Sequence, residues 1–175
     1  MAEEKQQQVK EKVKKGFGFR AGRKLDKNFT EEKEFEQVIL DLARVTRVTK
    51  GGKRMRFRAA VVVGDKKGRV GIGVAKGADV ALAVSKSTRQ AKKNFIHVVK
   101  EGKTIPHWIK IKEGAAKILL KPAPPGSGIM AGGAMRVVLE LSGVQDVVGK
   151  MLGANNKINN ARATIKALSL LRSRK

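Results

Sequence analysis

Between Val38 and Val74 polar and apolar residues alternate with a period of two, the spacing that sends successive side chains to opposite faces of a strand. Val45, Arg47 and Thr49 fall on one face, and Thr46, Val48 and Lys50 on the other. Gly51-Gly52 interrupts the run, and a tight hairpin turn is expected there because glycine reaches positive φ without steric cost. In the return strand, Arg54 to Val63, the residues Arg54, Arg56 and Arg58 alternate with Met55, Phe57 and Ala59. Three arginines are therefore expected on one face and core on the other. Gly64-Asp65-Lys66-Lys67-Gly68 reads as the next turn and Arg69 to Val74 as a third strand. Asp79 is a suitable cap for a helix reaching about Asn94, where Lys86, Arg89 and Lys93 make one basic stripe at spacings of three and four.

Glu101-Gly102 breaks this pattern and a second module begins. Trp108 to Lys112 and Ala116 to Leu120 read as strands around Glu113-Gly114, with Trp108 expected in the core. A Pro/Gly loop from Pro122 to Gly133 follows, then helical spacing over Ala134 to Leu141 and a strand over Val144 to Met151. Asn155 or Asn156 caps a last helix ending near Leu171. The predicted fold is α+β, built from two small modules: a βββα domain of the double-stranded-RNA-binding kind and a ββαβα domain. The boundaries fall at 1–35 for a basic, flexible extension carrying Phe17 and Phe19 between glycines, 36–103 for the first module and 104–175 for the second. Modules of about 70 residues have marginal cores alone, so the two are expected to pack together or against partners.

Charge narrows the function. The 175 residues carry 39 Lys plus Arg against 15 Asp plus Glu, a net charge of +24. The extension contributes +3, residues 36–103 contribute +12 and residues 104–175 contribute +9, so both folded modules are basic. Such an excess opposes compaction until a polyanion neutralises it. A membrane surface is usually met by one basic amphipathic helix, whereas here the charge is spread over strands, turns and helices; nucleic acid is the expected partner. The apolar runs, such as Ala59 to Val63, are far below the roughly 20 residues of a membrane span, and no signal peptide is read at the start. There is no cysteine, which suits a reducing compartment, and the two histidines, His97 and His107, give no metal or catalytic cluster. No cofactor, no metal and no small-molecule substrate are expected.

Two stretches mimic nucleotide-binding loops. Gly71-Ile72-Gly73-Val74-Ala75-Lys76-Gly77 has Lys76 where the dinucleotide fingerprint needs its third glycine, and it reads as a strand whose glycines allow close backbone approach. Gly102-Lys103-Thr104 resembles the end of a phosphate loop, but His97 stands where the first glycine belongs. The loop from Pro124 to Gly133 precedes a helix and could take phosphate. Phosphoryl transfer is unsupported, since Glu113, Glu140 and Asp146 are the second module's acids and lie on distant segments.

The stretch RVTRVTKGGKRMRFRAAVVVGDKKGRVGIGVAKG, with a helix ending AKKNFIHV, resembles the first domain of the small-subunit ribosomal protein S5 family. KPAPPGSGIMAGGAMRVVLELSGVQDVVGKMLGANNKINNARATIKAL resembles the family's second domain, and together the blocks cover about residues 36 to 170. The resemblance implies a double-stranded-RNA-binding-like domain joined to a kinase-related α/β domain with a left-handed βαβ crossover. It implies a non-enzymatic, cytoplasmic constituent of the small ribosomal subunit that binds rRNA near the decoding region and the messenger entry path. Small-subunit ribosomal proteins four and eight are the implied protein neighbours, and assembly and translational accuracy the implied roles. Arg44, Arg47, Lys50, Gly51, Gly52, Lys53 and Arg54 fall where the family guides rRNA and messenger, the hairpin loop Val48 to Arg54 matching the one near the spectinomycin-binding helix. Arg56, Arg58, Lys86, Arg89 and Lys93 extend this predicted RNA surface. Gly128 and Arg136 match the family's fidelity interface with protein four. A free-standing double-stranded-RNA chaperone and a kinase-like enzyme are the alternatives.

Overall fold

A computed structural model describes residues 35–173. The extension with Phe17 and Phe19 lies outside the described residues. Strands β1 (Glu36–Thr49), β2 (Gly52–Gly64), β3 (Arg69–Gly77) and β4 (Ile96–His97) form an antiparallel sheet in that order, with helix α1 (Val80–Lys93) between β3 and β4 in the chain. Strands β5 (Ile109–Glu113), β6 (Ala116–Pro122), β7 (Ile129–Met130) and β8 (Val147–Met151) form a second sheet in the order β5-β6-β8-β7. Helix α2 (Gly133–Ser142) connects β7 to its parallel neighbour β8, and α3 (Lys157–Ser169) follows. The predicted ββαβα order thus gains a short strand, β7, inside the Pro/Gly loop.

The run Ala59 to Gly64 explains why β2 loses its alternation: all six residues are buried, because each face of the strand has its own cover. Ala59, Val61 and Val63 face Ala83 and Ala91 of α1. Val62 turns the other way, into a cluster shared with Val70, Ile118, Leu120, Val138, Leu139 and Leu168. That cluster belongs to both modules. Helices α2 and α3 lie between the two sheets, touching β1 and β3 on one side and strands of the second sheet on the other. In β1 a bulge between Ile39 and Asp41 leaves Leu40 unpaired, and it packs on the same cluster.

The first sheet and α1 approach closely along a glycine stripe. A β-carbon at Gly73 would overlap the Ser87 carbonyl oxygen, and one at Gly71 or Gly77 would collide with the α1 backbone. Ser87, fully buried, donates to the Ala59 carbonyl at 2.9 Å and accepts from the Ala75 amide at 3.1 Å. The glycines are therefore packing residues, as their strand context implies, and α1 does not start at a phosphate-binding turn. Asp79 takes the N-cap position of α1 in an extended conformation, but its side chain makes no capping bond; only its carbonyl accepts, from the Ala83 amide at 3.0 Å. Asn156 does cap α3, its Oδ1 accepting from the amides of Ile158 and Asn159.

Candidate nucleic-acid interface

The β1–β2 hairpin outruns its own core. Every residue from 46 to 56 is exposed, so the ribbon projects roughly 15 Å from the body at about 3.3 Å per residue. The expectation of core opposite the arginines fails here: Met55 is 52% exposed and Val48 73%. The alternation continues past the point where α1 on one face and helices α2 and α3 on the other stop covering the strands. Five cations, Arg47, Lys50, Lys53, Arg54 and Arg56, lie on this projection and no carboxylate does.

The register places Arg47 directly across from Arg54, and Arg56 across from Val45. Like charges in directly opposed positions weaken a strand pair, which an external polyanion would reverse. Arg44 and Lys53 point to the other face, opposite Phe57 and Val48 respectively. Arg58 is different. It opposes Ala43 and its Nη2 donates to Asp41 Oδ2 at 3.2 Å, with Nε buried and unpaired, so its guanidinium faces inward at the base of the ribbon. Asp41 also lies 3.8 Å from Lys157 Nζ, linking the hairpin base to α3.

At the tip the turn residues are Lys50 and Gly51, one position earlier than expected, and Thr49 pairs with Gly52. Gly52 alone has a positive φ, 141°, while Gly51 does not. Thr49 Oγ1 donates to the Gly52 carbonyl at 3.0 Å and closes the turn. Lys86, Arg89 and Lys93 are all exposed on α1, whose opposite side carries the buried Ala83, Ser87 and Ala91. They form a second cationic strip on the helix rather than a continuation of the ribbon.

Gly128 and Arg136 lie in the loop before α2 and in its first turns. Gly128 has φ +69°, so its conformation is one that disfavours a side chain, although a β-carbon there would meet no atom within 4 Å. The feature missing from the sequence reading is Asp146. It is buried, and its Oδ1 accepts from the amides of both Gly126 and Gly128 at 3.0 Å. The protein's own carboxylate thus takes the amides that a phosphate would need. Arg136 remains exposed and reaches back to the Ile129 carbonyl at 3.3 Å. No cluster of metal-ligating side chains occurs among the described residues, and Glu113 is paired with Lys166. Trp108, expected in the core, is 63% exposed: it precedes β5 on the side that neither α2 nor α3 covers.

Comparison with known proteins agrees with both halves of this architecture. Residues 35–99 match the family described as ribosomal protein S5, N-terminal domain, and residues 111–175 match ribosomal protein S5, C-terminal domain. The small ribosomal subunit protein uS5 of Campylobacter jejuni is 50% identical over 139 residues, covering 79% of this chain and 95% of its own length. The uS5 of Trichormus variabilis is 47% identical over 152 residues, 86% of this chain and 87% of its own length. The uS5c of Spinacia oleracea is 49% identical over 162 residues, 92% of this chain, which spans about half of that protein. These relatives are named as ribosomal proteins and not as enzymes. With both domain families matched in order and about half of all residues shared across nearly the full length of bacterial relatives, the chain belongs to the ribosomal protein S5 family of the small ribosomal subunit.

Proposed function

We propose that this structural constituent of the small subunit binds rRNA chiefly through its projecting β1–β2 ribbon, near the decoding region and the messenger entry path, and supports subunit assembly and accuracy. The observation that carries the reading is the ribbon itself, five cations without a carboxylate on a segment exposed on both faces. A solvated surface does not need two arginines in opposed register; a phosphate backbone rewards them. Arg47, Arg54 and Arg56 make the main contacts, Lys50 and Lys53 at the tip reach messenger or rRNA, and Arg44 and the α1 strip of Lys86, Arg89 and Lys93 add charge nearby. Arg58 holds the base of the ribbon through Asp41.

Gly128 and Arg136 form the contact with small-subunit protein four, and protein eight is a further neighbour. The support is physical: a loop held in shape by Asp146 and an exposed forked cation suited to a partner carboxylate. The test of the RNA reading is the salt dependence of binding to a small-subunit rRNA fragment. Arg54→Gln with Arg56→Gln should lower the slope of log affinity against log salt by about 1.4 to 1.8, two contacts' worth, with the thermal midpoint retained. An unchanged slope would mean that the ribbon is only solvated.

A further inference from the structure

The second sheet has one face against α2 and α3 and the other open. Register fixes what stands on the open face: Lys110 opposes Leu119, Lys112 opposes Lys117, Leu119 opposes Lys150, and Lys121 opposes Val148. Lys110, Lys112, Lys117, Lys121 and Lys150 are all exposed, and none of these strands offers a carboxylate to that side. The strand carboxylate Glu113 faces the helices, where it meets Lys166. Beside the lysines lies a shallow hollow of about 480 Å³ lined by Trp108, Leu119, Lys121 and Pro122.

A lysine field alone is a solubility device. A lysine field around an apolar hollow is a different surface: Trp108, Leu119 and Pro122 are grouped there rather than scattered singly, and an apolar patch rimmed by charge marks an interaction site. We infer that the open face of the second sheet is a separate RNA-binding surface, on which Trp108 stacks with an unpaired base while the lysines hold the flanking phosphates. Charge complementarity selects the occupant: five ammonium groups would repel a second copy of this chain and favour a polyanion. The stacking ring selects among polyanions, since only a nucleic acid offers a planar π-face at phosphate spacing. The signal was present in the sequence as lysines on one face of the strand alternation, 110 and 112 in one strand and 117 and 121 on either side of Leu119 in the next, beside the only tryptophan.

That single tryptophan makes the test local. The full chain is titrated with a short single-stranded oligoribonucleotide while Trp108 emission and the anisotropy of a label on the RNA are followed together. Quenching is expected in step with binding. It should persist in the Arg54→Gln, Arg56→Gln variant, which leaves this face intact. Lys110→Gln with Lys121→Gln should shift the quenching curve to higher RNA by at least several-fold and flatten its salt slope by about 1.4. Trp108→Leu should weaken binding at this face by about tenfold, read by competition in the ribbon-deficient background. RNA that binds without moving the emission overturns the proposal. So does equal quenching by inorganic polyphosphate, which would mean charge without stacking, and so does an emission shift that follows protein concentration alone, which would assign the face to a second copy.

Discussion

Asp65 shows how much one side chain can fix. In the β2–β3 turn its Oδ1 accepts from the amides of Lys67 at 2.8 Å and Arg69 at 2.9 Å, and its Oδ2 from Arg69 Nε at 2.7 Å. Burial pushes the carboxyl up, but the Arg69 side chain, the two amides and the Arg69 charge outweigh it and hold the pKa at about 2 against an ordinary 3.8. The folded value lies below the unfolded one, so the stabilisation is complete above about pH 4 and lost as the pH falls towards 2. Asp65→Asn should unfold at lower urea than the native chain at neutral pH, with the gap closing between pH 4 and pH 2. A gap that stays constant over that window would show that the carboxylate charge is not involved. At this scale the sequence was least informative. Met55 and Trp108 look like core because large apolar residues usually are, yet what decides is whether a neighbouring element covers them, and no local pattern carries that. Asp146 was missed for the same reason: its partners, Gly126 and Gly128, lie beyond a whole helix.

The pairing of α1 with β3 sets the geometry of the first sheet. Because Gly73 lies under the Ser87 carbonyl, Gly73→Ala should force the helix away and break the hydrogen bonds of Ser87 to both strands, costing about 3 kcal/mol or more. Gly52→Ala meets no atom and carries only the cost of its φ, about 1 kcal/mol. Urea unfolding of the two variants side by side checks the contrast; equal losses would remove the packing role of the glycine stripe. Elements with a sustained pattern were legible: α1 and α3 lie within a few residues of their expected limits because eight or more residues repeat one period, and β2 does so because its alternation up to Ala59 runs straight into a continuous apolar stretch. β4 and β7 are two residues each, too short to show any period, and they exist because β3 and β8 offer open edges beside them.

For the whole molecule the informative fact is the common core. Val62, Val70 and Val98 from the first module pack with Ile105, Leu120, Leu139 and Leu168 from the second, and the Lys66 amide donates to the Leu141 carbonyl at 3.0 Å. Two segments of about 70 residues that share a cluster should each be unstable alone. A fragment of residues 35–103 should bind a hydrophobic dye and lose cooperative unfolding, and adding the 104–175 fragment should abolish the dye binding and restore the cooperative transition; a dye-free fragment with a sharp transition would overturn this. The sequence suggested the mutual packing through module size alone, and only the continuous apolar run Ala59 to Val63 hinted that β2 has two covered faces.

That two-faced burial also imposes an order in time. A polypeptide leaves its ribosome from the N-terminus, so β2 emerges 77 residues before Leu141, roughly 4 to 15 seconds at ordinary synthesis rates. During that interval α1 can settle on Ala59, Val61 and Val63, but Val62 and Val70 have nothing to cover them. The half-made chain therefore presents a bare valine surface beside an extended, strongly cationic ribbon, in a setting crowded with anionic transcripts. Nascent-chain binding by holdase chaperones should peak while residues 104 to 141 are being translated, and fall once α2 closes over the sheet.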